Sequence, residues 1–188
     1  GLRSPIGVLN GQYKHMRPEI LGSQVIDEII NRYTISHIDG IFCGNAVGTG
    51  GNLGRLMGLM CNLPNSVPAI TVDMQCASAL MSIEIAYAHI VSGIMDSAIA
   101  GGIESSSLQP ERVYASGDDR EGPYKVAQFT PQDQSPLAML KGAERTIHKY
   151  NVTKEDLYPH IIGSHQRASA ALDNPYLQSY IMPITIDG

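Results

Sequence analysis

The segment Thr71-Val72-Asp73-Met74-Gln75-Cys76-Ala77-Ser78-Ala79-Leu80 joins an apolar run to the most apolar helical stretch of the chain. It reads as a strand-to-helix junction with a thiol, Cys76, at or next to the helix start. Unpaired backbone N–H groups and the positive helix end favour a thiolate at such a place. Thiols in that setting are commonly more nucleophilic than free cysteine. The small residues Ala77, Ser78 and Ala79 leave room for a substrate tail or another backbone. A thiol suits acyl exchange with a second thiol, because the two thioesters are nearly isoenergetic. The competing reading is structural: a lone Cys beside an apolar helix often serves as a small buried hydrophobe. Cys43, in mid-strand, and Cys61, at a helix end, read that way. The three cysteines show neither metal nor disulfide spacing. A sparse, odd set fits a reducing cytoplasm.

The elements that must position Cys76 follow from periodicity. Residues 1–17 read as loop. Pro18 opens a helix with Ile20, Leu21, Val25, Ile26, Ile29, Ile30 and Tyr33 near a 3.6-residue period. Residues 40–45 form a short apolar run that fits a buried strand. Gly48 to Gly51 is a turn, and Asn52 caps a helix carrying Leu53, Leu56, Met57 and Met60. Residues 69–73 are a strand, 76–92 a helix ending at Gly93, and 96–100 a further strand running into Gly101-Gly102. Alternation of this kind predicts a layered α/β fold with a mostly parallel sheet. Residues 109–135 are polar and receive no regular structure. A helix is expected from near Pro136 to Tyr150. A second is capped by Thr153 with Asp156 three residues on, and Pro159 inside it predicts a kink or a late start. Residues 180–186 alternate like a strand.

Composition narrows the partners. The net charge is −5 with no Lys/Arg cluster, which argues against nucleic acid. No apolar run reaches the roughly 18 residues of a membrane span. Glycine (19) and proline (11) are frequent while aromatics are 6%, which fits an α/β fold with many tight turns.

The Cys76-Ala77-Ser78-Ala79-Leu80 segment resembles the nucleophile turn of thiolases. Three other segments agree in order and spacing. Arg3-Ser4-Pro5-Ile6-Gly7 resembles the family's early Arg-Thr-Pro-x-Gly. Residues 44–52 with Arg55 resemble the loop and helix before the nucleophile strand. Ala100-Gly101-Gly102-Ile103-Glu104-Ser105 resembles the Gly-Gly-Met-Glu-Ser turn. Weaker matches lie at Gly142-Ala143-Glu144 and at residues 164–168. Ketosynthases also carry a Cys at a strand-to-helix turn, but the start of the chain and the Gly-Gly-Ile-Glu-Ser turn favour thiolases.

The resemblance implies a thiolase-like layered fold, of which this chain is the N-terminal half. Residues 1–108 would be the N-terminal α/β domain, its first strand missing upstream. Residues 109–188 would be part of the loop domain that covers coenzyme A. It implies an acyl-CoA C-acyltransferase of the acetyl-CoA C-acetyltransferase type, acting in lipid metabolism in the cytoplasm. Cys76 would hold the acyl group as a thioester, for Claisen condensation or for thiolysis of 3-oxoacyl-CoA. Coenzyme A would enter as substrate, with no metal and no separate cofactor, and the protein would be a homodimer or homotetramer. Met139 would lie near the pantetheine, although a core helix methionine is an equal reading. Glu104 and Ser105 would shape the turn rather than do chemistry. The family's Gly-His-Pro, Cys-x-Gly and Asn-Glu-Ala-Phe motifs have no counterpart in these residues, so activity would require a C-terminal half. Ala79 stands where the family usually has Gly, and its methyl is expected to narrow the acyl pocket or disturb the turn. The alternative is a degenerate or split thiolase half serving as a non-catalytic partner.

Overall fold

The computed structural model describes residues 1–48, 50–124, 128, 130–131, 135 and 137–186. The apolar segments flagged by the sequence form a parallel sheet of order β2-β1-β3. It is built from β1 (Gly40–Gly44), β2 (Ala69–Val72) and β3 (Ala98–Gly102). Ile41 pairs with Ala69 on one side and Ile99 on the other, so β1 is central. All five β1 residues are buried, as a strand without polar alternation requires. Helix α1 (Pro18–Arg32) precedes β1, α2 (Leu53–Met60) links β1 to β2, and α3 (Ser78–Val91) links β2 to β3. This is the layered α/β arrangement that the alternation predicts.

Each helix of this unit starts for a local reason. Pro18, with its fixed φ, occupies the first position of α1. Glu19 in the first turn complements the helix's positive end and lies 3.3 Å from Arg17. Asn52 caps α2, its Oδ1 accepting from the Arg55 N–H at 3.0 Å. The same side chain ties α2 to β2. Asn52 Nδ2 donates to the Ala69 carbonyl at 2.8 Å, and Thr71 Oγ1 donates to Asn52 Oδ1 at 2.9 Å. Arg55 donates to the Val67 and Asn65 carbonyls, fixing the loop that leads into β2. Ile26, Ile38, Ile41, Cys43, Met57, Cys61, Val67 and Ala69 form the core between helices and sheet. Cys43 and Cys61 are therefore core residues, as their positions in the pattern imply.

The chain divides into one unit of Gly1–Pro110 with Ser179–Gly188 and a second of Glu111–Gln178. The last ten residues thus cluster with the first unit, while the sequence resemblance assigns residues 109–188 to the loop domain. The reason is hydrogen bonding. Arg3 N–H donates to the Tyr180 carbonyl and Met182 N–H to the Arg3 carbonyl. The Gln24 amide exchanges two bonds with the Thr185 backbone, and Arg32 donates to the Ser179 carbonyl at 2.6 Å. Only one strand-like contact results, an isolated bridge between Arg3 and Ile181. The strand expected over 180–186 is absent because a side-chain amide, not a second strand, takes up the backbone beyond that bridge.

The second unit carries a short antiparallel ladder, β4 (Arg112–Val113) with β5 (Pro123–Tyr124), where the sequence predicted no regular structure. A local cluster holds it. The Tyr114 and Tyr124 rings stack at 4.2 Å, and Arg120 lies 4.2 Å over the Tyr114 ring while bonding Asp118. Helix α4 (Ala138–Tyr150) ends in a left-handed Asn151, and α5 (Lys154–Leu172) starts with the predicted capping box of Thr153 and Asp156. The expected α4 start at Pro136 lies outside the described residues, as does Thr49 in the Gly48–Gly51 turn. Pro159 is inside α5, which does not start late. A short helix, α6 (Pro175–Gln178), closes the unit.

Candidate active site

Parallel α/β sheets place their ligand sites at the carboxyl ends of the strands. Here those ends carry Asn45 after β1, Cys76 after β2 and Glu104 after β3. Cys76 lies just before Ala77, the N-cap of α3, where the sequence put it. It is a free, exposed thiol, while Cys43 and Cys61 are buried. Burial, the dominant cause, pushes the Cys43 thiol up to about 11 and the Cys61 thiol up to about 12. Those two are therefore poor nucleophiles.

The turn that presents Cys76 is strained and tightly bonded. Gln75 has φ of 52°, in the left-handed region that a residue with a Cβ rarely enters. A conformation of this kind costs on the order of 1–3 kcal/mol and persists only where its surroundings enforce it. Asp73 Oδ1 accepts from the Gln75 N–H at 2.9 Å. The Ser78 hydroxyl donates to the Gln75 carbonyl at 2.6 Å and accepts from the Met74 N–H at 2.8 Å. Ala77 and Ser78 N–H groups close onto the Met74 and Gln75 carbonyls, both at 3.1 Å. Strand, strained turn and helix together are the device that lifts a nucleophile clear of a sheet in the α/β-hydrolases.

Two glycines let α3 approach the sheet closely. A Cβ on Gly44 would overlap the Ala79 nitrogen and the Ser78 carbonyl carbon. A Cβ on Gly102 would lie 2.8 Å from the Ala79 Cβ. The Ala79 methyl thus sits over Gly102, and the turn and helix start are formed with it in place. Lower on the helix, Ser82 is fully buried and donates to the Ala79 and Gly101 carbonyls.

Glu104 binds the neighbouring loop. Its Oε1 accepts from Asn45 Nδ2 at 3.1 Å, and its Oε2 from the Ala46 and Val47 N–H groups at 3.0 and 2.8 Å. This agrees with a turn-shaping role. The loop is then no free anion cradle, since those amides already hold a carboxylate. Sequence reading missed the Gln75 conformation and the Ser78 bonds. The only signal for Ser78 was its place two residues after Cys76.

Met139 is on α4 of the second unit and is 72% exposed. His37 pairs with Asp39 at the opposite end of the sheet, and His89 Nδ1 contacts the Ile85 carbonyl one turn back on α3. A cavity of about 450 Å³ lies beside β3, lined by Ile6, Leu21, Val25, Ile99 and Ile103 among others. Cys76 is not among its lining residues. No three His, Cys, Asp or Glu side chains converge as metal ligands would among the described residues. No helix there is long and apolar enough to cross a membrane.

Fold and site together define an α/β protein that presents a cysteine from a strained turn at the carboxyl edge of a parallel sheet. The family model for the thiolase N-terminal domain matches residues 1–188. A Staphylococcus aureus (strain MSSA476) protein, VraB, named as an acetyl-CoA C-acetyltransferase, is 34% identical over 99% of this chain. Its Staphylococcus epidermidis namesake is 32% identical over the same share. The crystal structure of the Bacillus anthracis acetyl-CoA acetyltransferase superposes with a TM-score of 0.82 at 26% identity, covering 100% of this chain. The chain belongs to the thiolase family. It spans 50% of the length of each of these relatives.

Proposed function

We propose that this chain is the nucleophile-bearing half of a thiolase-type acyltransferase. Cys76 takes an acyl group from an acyl-CoA as a thioester. The acyl–sulfur bond to coenzyme A breaks as the bond to Cys76 forms, and coenzyme A leaves as the thiol. In the synthetic direction the acyl–Cys76 bond then breaks as the acyl carbon bonds to the α-carbon of a second acyl-CoA, which gives up a proton while Cys76 regains its thiol. In the degradative direction Cys76 instead takes the acyl group from a 3-oxoacyl-CoA, whose C–C bond to the α-carbon breaks as that carbon is protonated to leave an acyl-CoA. Cys76 then passes the acyl group to a free coenzyme A thiol. The observation that carries this reading is the exposed Cys76 on its strained turn, beside two buried thiols whose burial disfavours the thiolate. The names of the relatives support the substrate class.

The proposal includes a second half. The outward face of α3 carries Leu80, Ile83, Tyr87 and Ile90, continuing to Ile94, at alternating spacings of three and four. Leu80 and Ile94 are each 68% exposed. An apolar seam of that kind supports the reading that this unit works packed against another folded element. A homodimer or homotetramer, a cytoplasmic setting, a role in lipid metabolism and contact of Met139 with the pantetheine belong to the same proposal. They rest on the family resemblance, the setting also on the free cysteines.

The test is acyl exchange between acetyl-CoA and labelled coenzyme A, catalysed by the full-length protein. Cys76→Ser is expected to lower the rate by about 10⁴-fold or more. Exchange by the native protein that survives Cys76→Ser undiminished contradicts the proposal. Absence of exchange in the native protein favours the non-catalytic partner.

A further inference from the structure

We infer that Glu104 and Asn45 are positioning residues for the Cys76 turn, acting as a clasp across the carboxyl ends of all three strands. Asn45 is the centre of the clasp. Its N–H donates to the Val72 carbonyl, the last residue of β2, at 3.0 Å. Its side-chain Nδ2 donates to the Ile103 carbonyl at 2.8 Å and to Glu104 Oε1 at 3.1 Å, just past the end of β3. Ile103 N–H returns a bond to the Gly44 carbonyl at 3.0 Å. One residue after β1 thus bonds to the strand ends on both sides of it.

The clasp grips the Cys76 turn from both directions. Val72, held by Asn45, lies four residues before the thiol. Gly44, the residue adjoining Asn45, abuts Ser78 and Ala79 just after it. The strained Gln75 sits between these two fixed points, and this is where the turn's enforcement comes from.

The choice of a carboxylate follows from donors and acceptors. Glu104 faces three N–H donors: Asn45 Nδ2, Ala46 N and Val47 N. The Ile103 carbonyl fixes the Asn45 amide so that it presents N–H, not oxygen, to Glu104. An acceptor-only group is needed at both oxygens, and an ionised carboxylate supplies it. A glutamine would set its own NH₂ against one of these donors.

The test is amide hydrogen exchange in Glu104→Gln, compared with the native chain at two places. The Ala77 and Ser78 N–H groups report the turn. The Asp96 and Ser97 N–H groups, bonded to Asp39 at the other end of the sheet, report whether any loosening is confined to the carboxyl end. Glu104→Gln is expected to speed exchange at Ala77 and Ser78 by about 10- to 100-fold and to leave Asp96 and Ser97 within about twofold. Glu104→Asp, which keeps the charge but shortens the reach, is expected to show the same asymmetry. It serves as the readout if the Gln variant does not fold. Unchanged turn amides, or equal acceleration at both ends, overturns the inference. The catalytic consequence, a lower kcat with KM preserved, rests on the function proposed above. The exchange experiment needs no activity, so the two can fail separately.

Discussion

The two ends of the three-stranded sheet are built for different purposes. At the amino end, Asp39 precedes β1 and accepts from the Asp96 and Ser97 N–H groups at 2.8 and 3.0 Å through Oδ2, while Oδ1 meets His37 at 2.6 Å. The Ser97 hydroxyl closes the cluster onto the His37 carbonyl. These bonds only tie β1 to β3. At the carboxyl end a carboxylate, Glu104, again binds two consecutive backbone N–H groups. There, however, the neighbouring turn holds a left-handed Gln75 and an exposed thiol. The same anchoring chemistry closes one end and, at the other, lies beside a strained turn that carries an exposed thiol. The contrast teaches that the strained Gln75 is held among bonded groups on both sides of it.

A substitution at each end sharpens the contrast. The larger effect is expected at the carboxyl end. Gly44→Ala pushes a methyl into the backbone of Ser78 and Ala79, which cannot swing aside as a flexible side chain can. A loss of about 1–3 kcal/mol or more is expected in chemical denaturation. Native stability in this variant would show that the close approach of α3 to β1 is not needed.

The smaller effect is expected at the amino end and depends on pH. The Asp96 N–H above all, then His37 and the Ser97 N–H, holds the Asp39 carboxyl down at about 2, below its usual 3.8. A depressed carboxylate contributes stability above its unfolded pKa and loses that contribution as pH falls through the folded value. The melting temperature of Asp39→Asn is therefore expected below that of the native chain at neutral pH. The gap should narrow between about pH 4 and pH 2. A gap that stays constant over that range would show that Asp39 is not titrating against the clamp.

Local patterns made much of the fold legible. Asn52 and Thr153 declare their helices because each caps a backbone group within three residues. Pro18 and the apolar periods of α1 and α3 set their helices in the same way. Cys76 was legible because a strand ran into an apolar helix through small residues. The clasp was not, because Asn45 and Glu104 are 59 residues apart and meet only once β1 and β3 pair. The Gln75 conformation was hidden because nothing in a Met-Gln-Cys tripeptide demands a left-handed φ. Alternation over 180–186 misled because it reports which side chains face inward, not whether a partner strand is present. The β4–β5 ladder was missed because two-residue strands carry no periodicity, and the stacked tyrosines that hold it are ten residues apart.

The central claim is that the carboxyl end presents one reactive thiol out of three. Peptide mapping by mass spectrometry, after incubating the full-length protein with acetyl-CoA and quenching in acid, tests it most directly. The account predicts an acetyl group on the peptide that carries Cys76 and none on those carrying Cys43 or Cys61. Acetylation of a buried cysteine, with Cys76 unmodified, would contradict it.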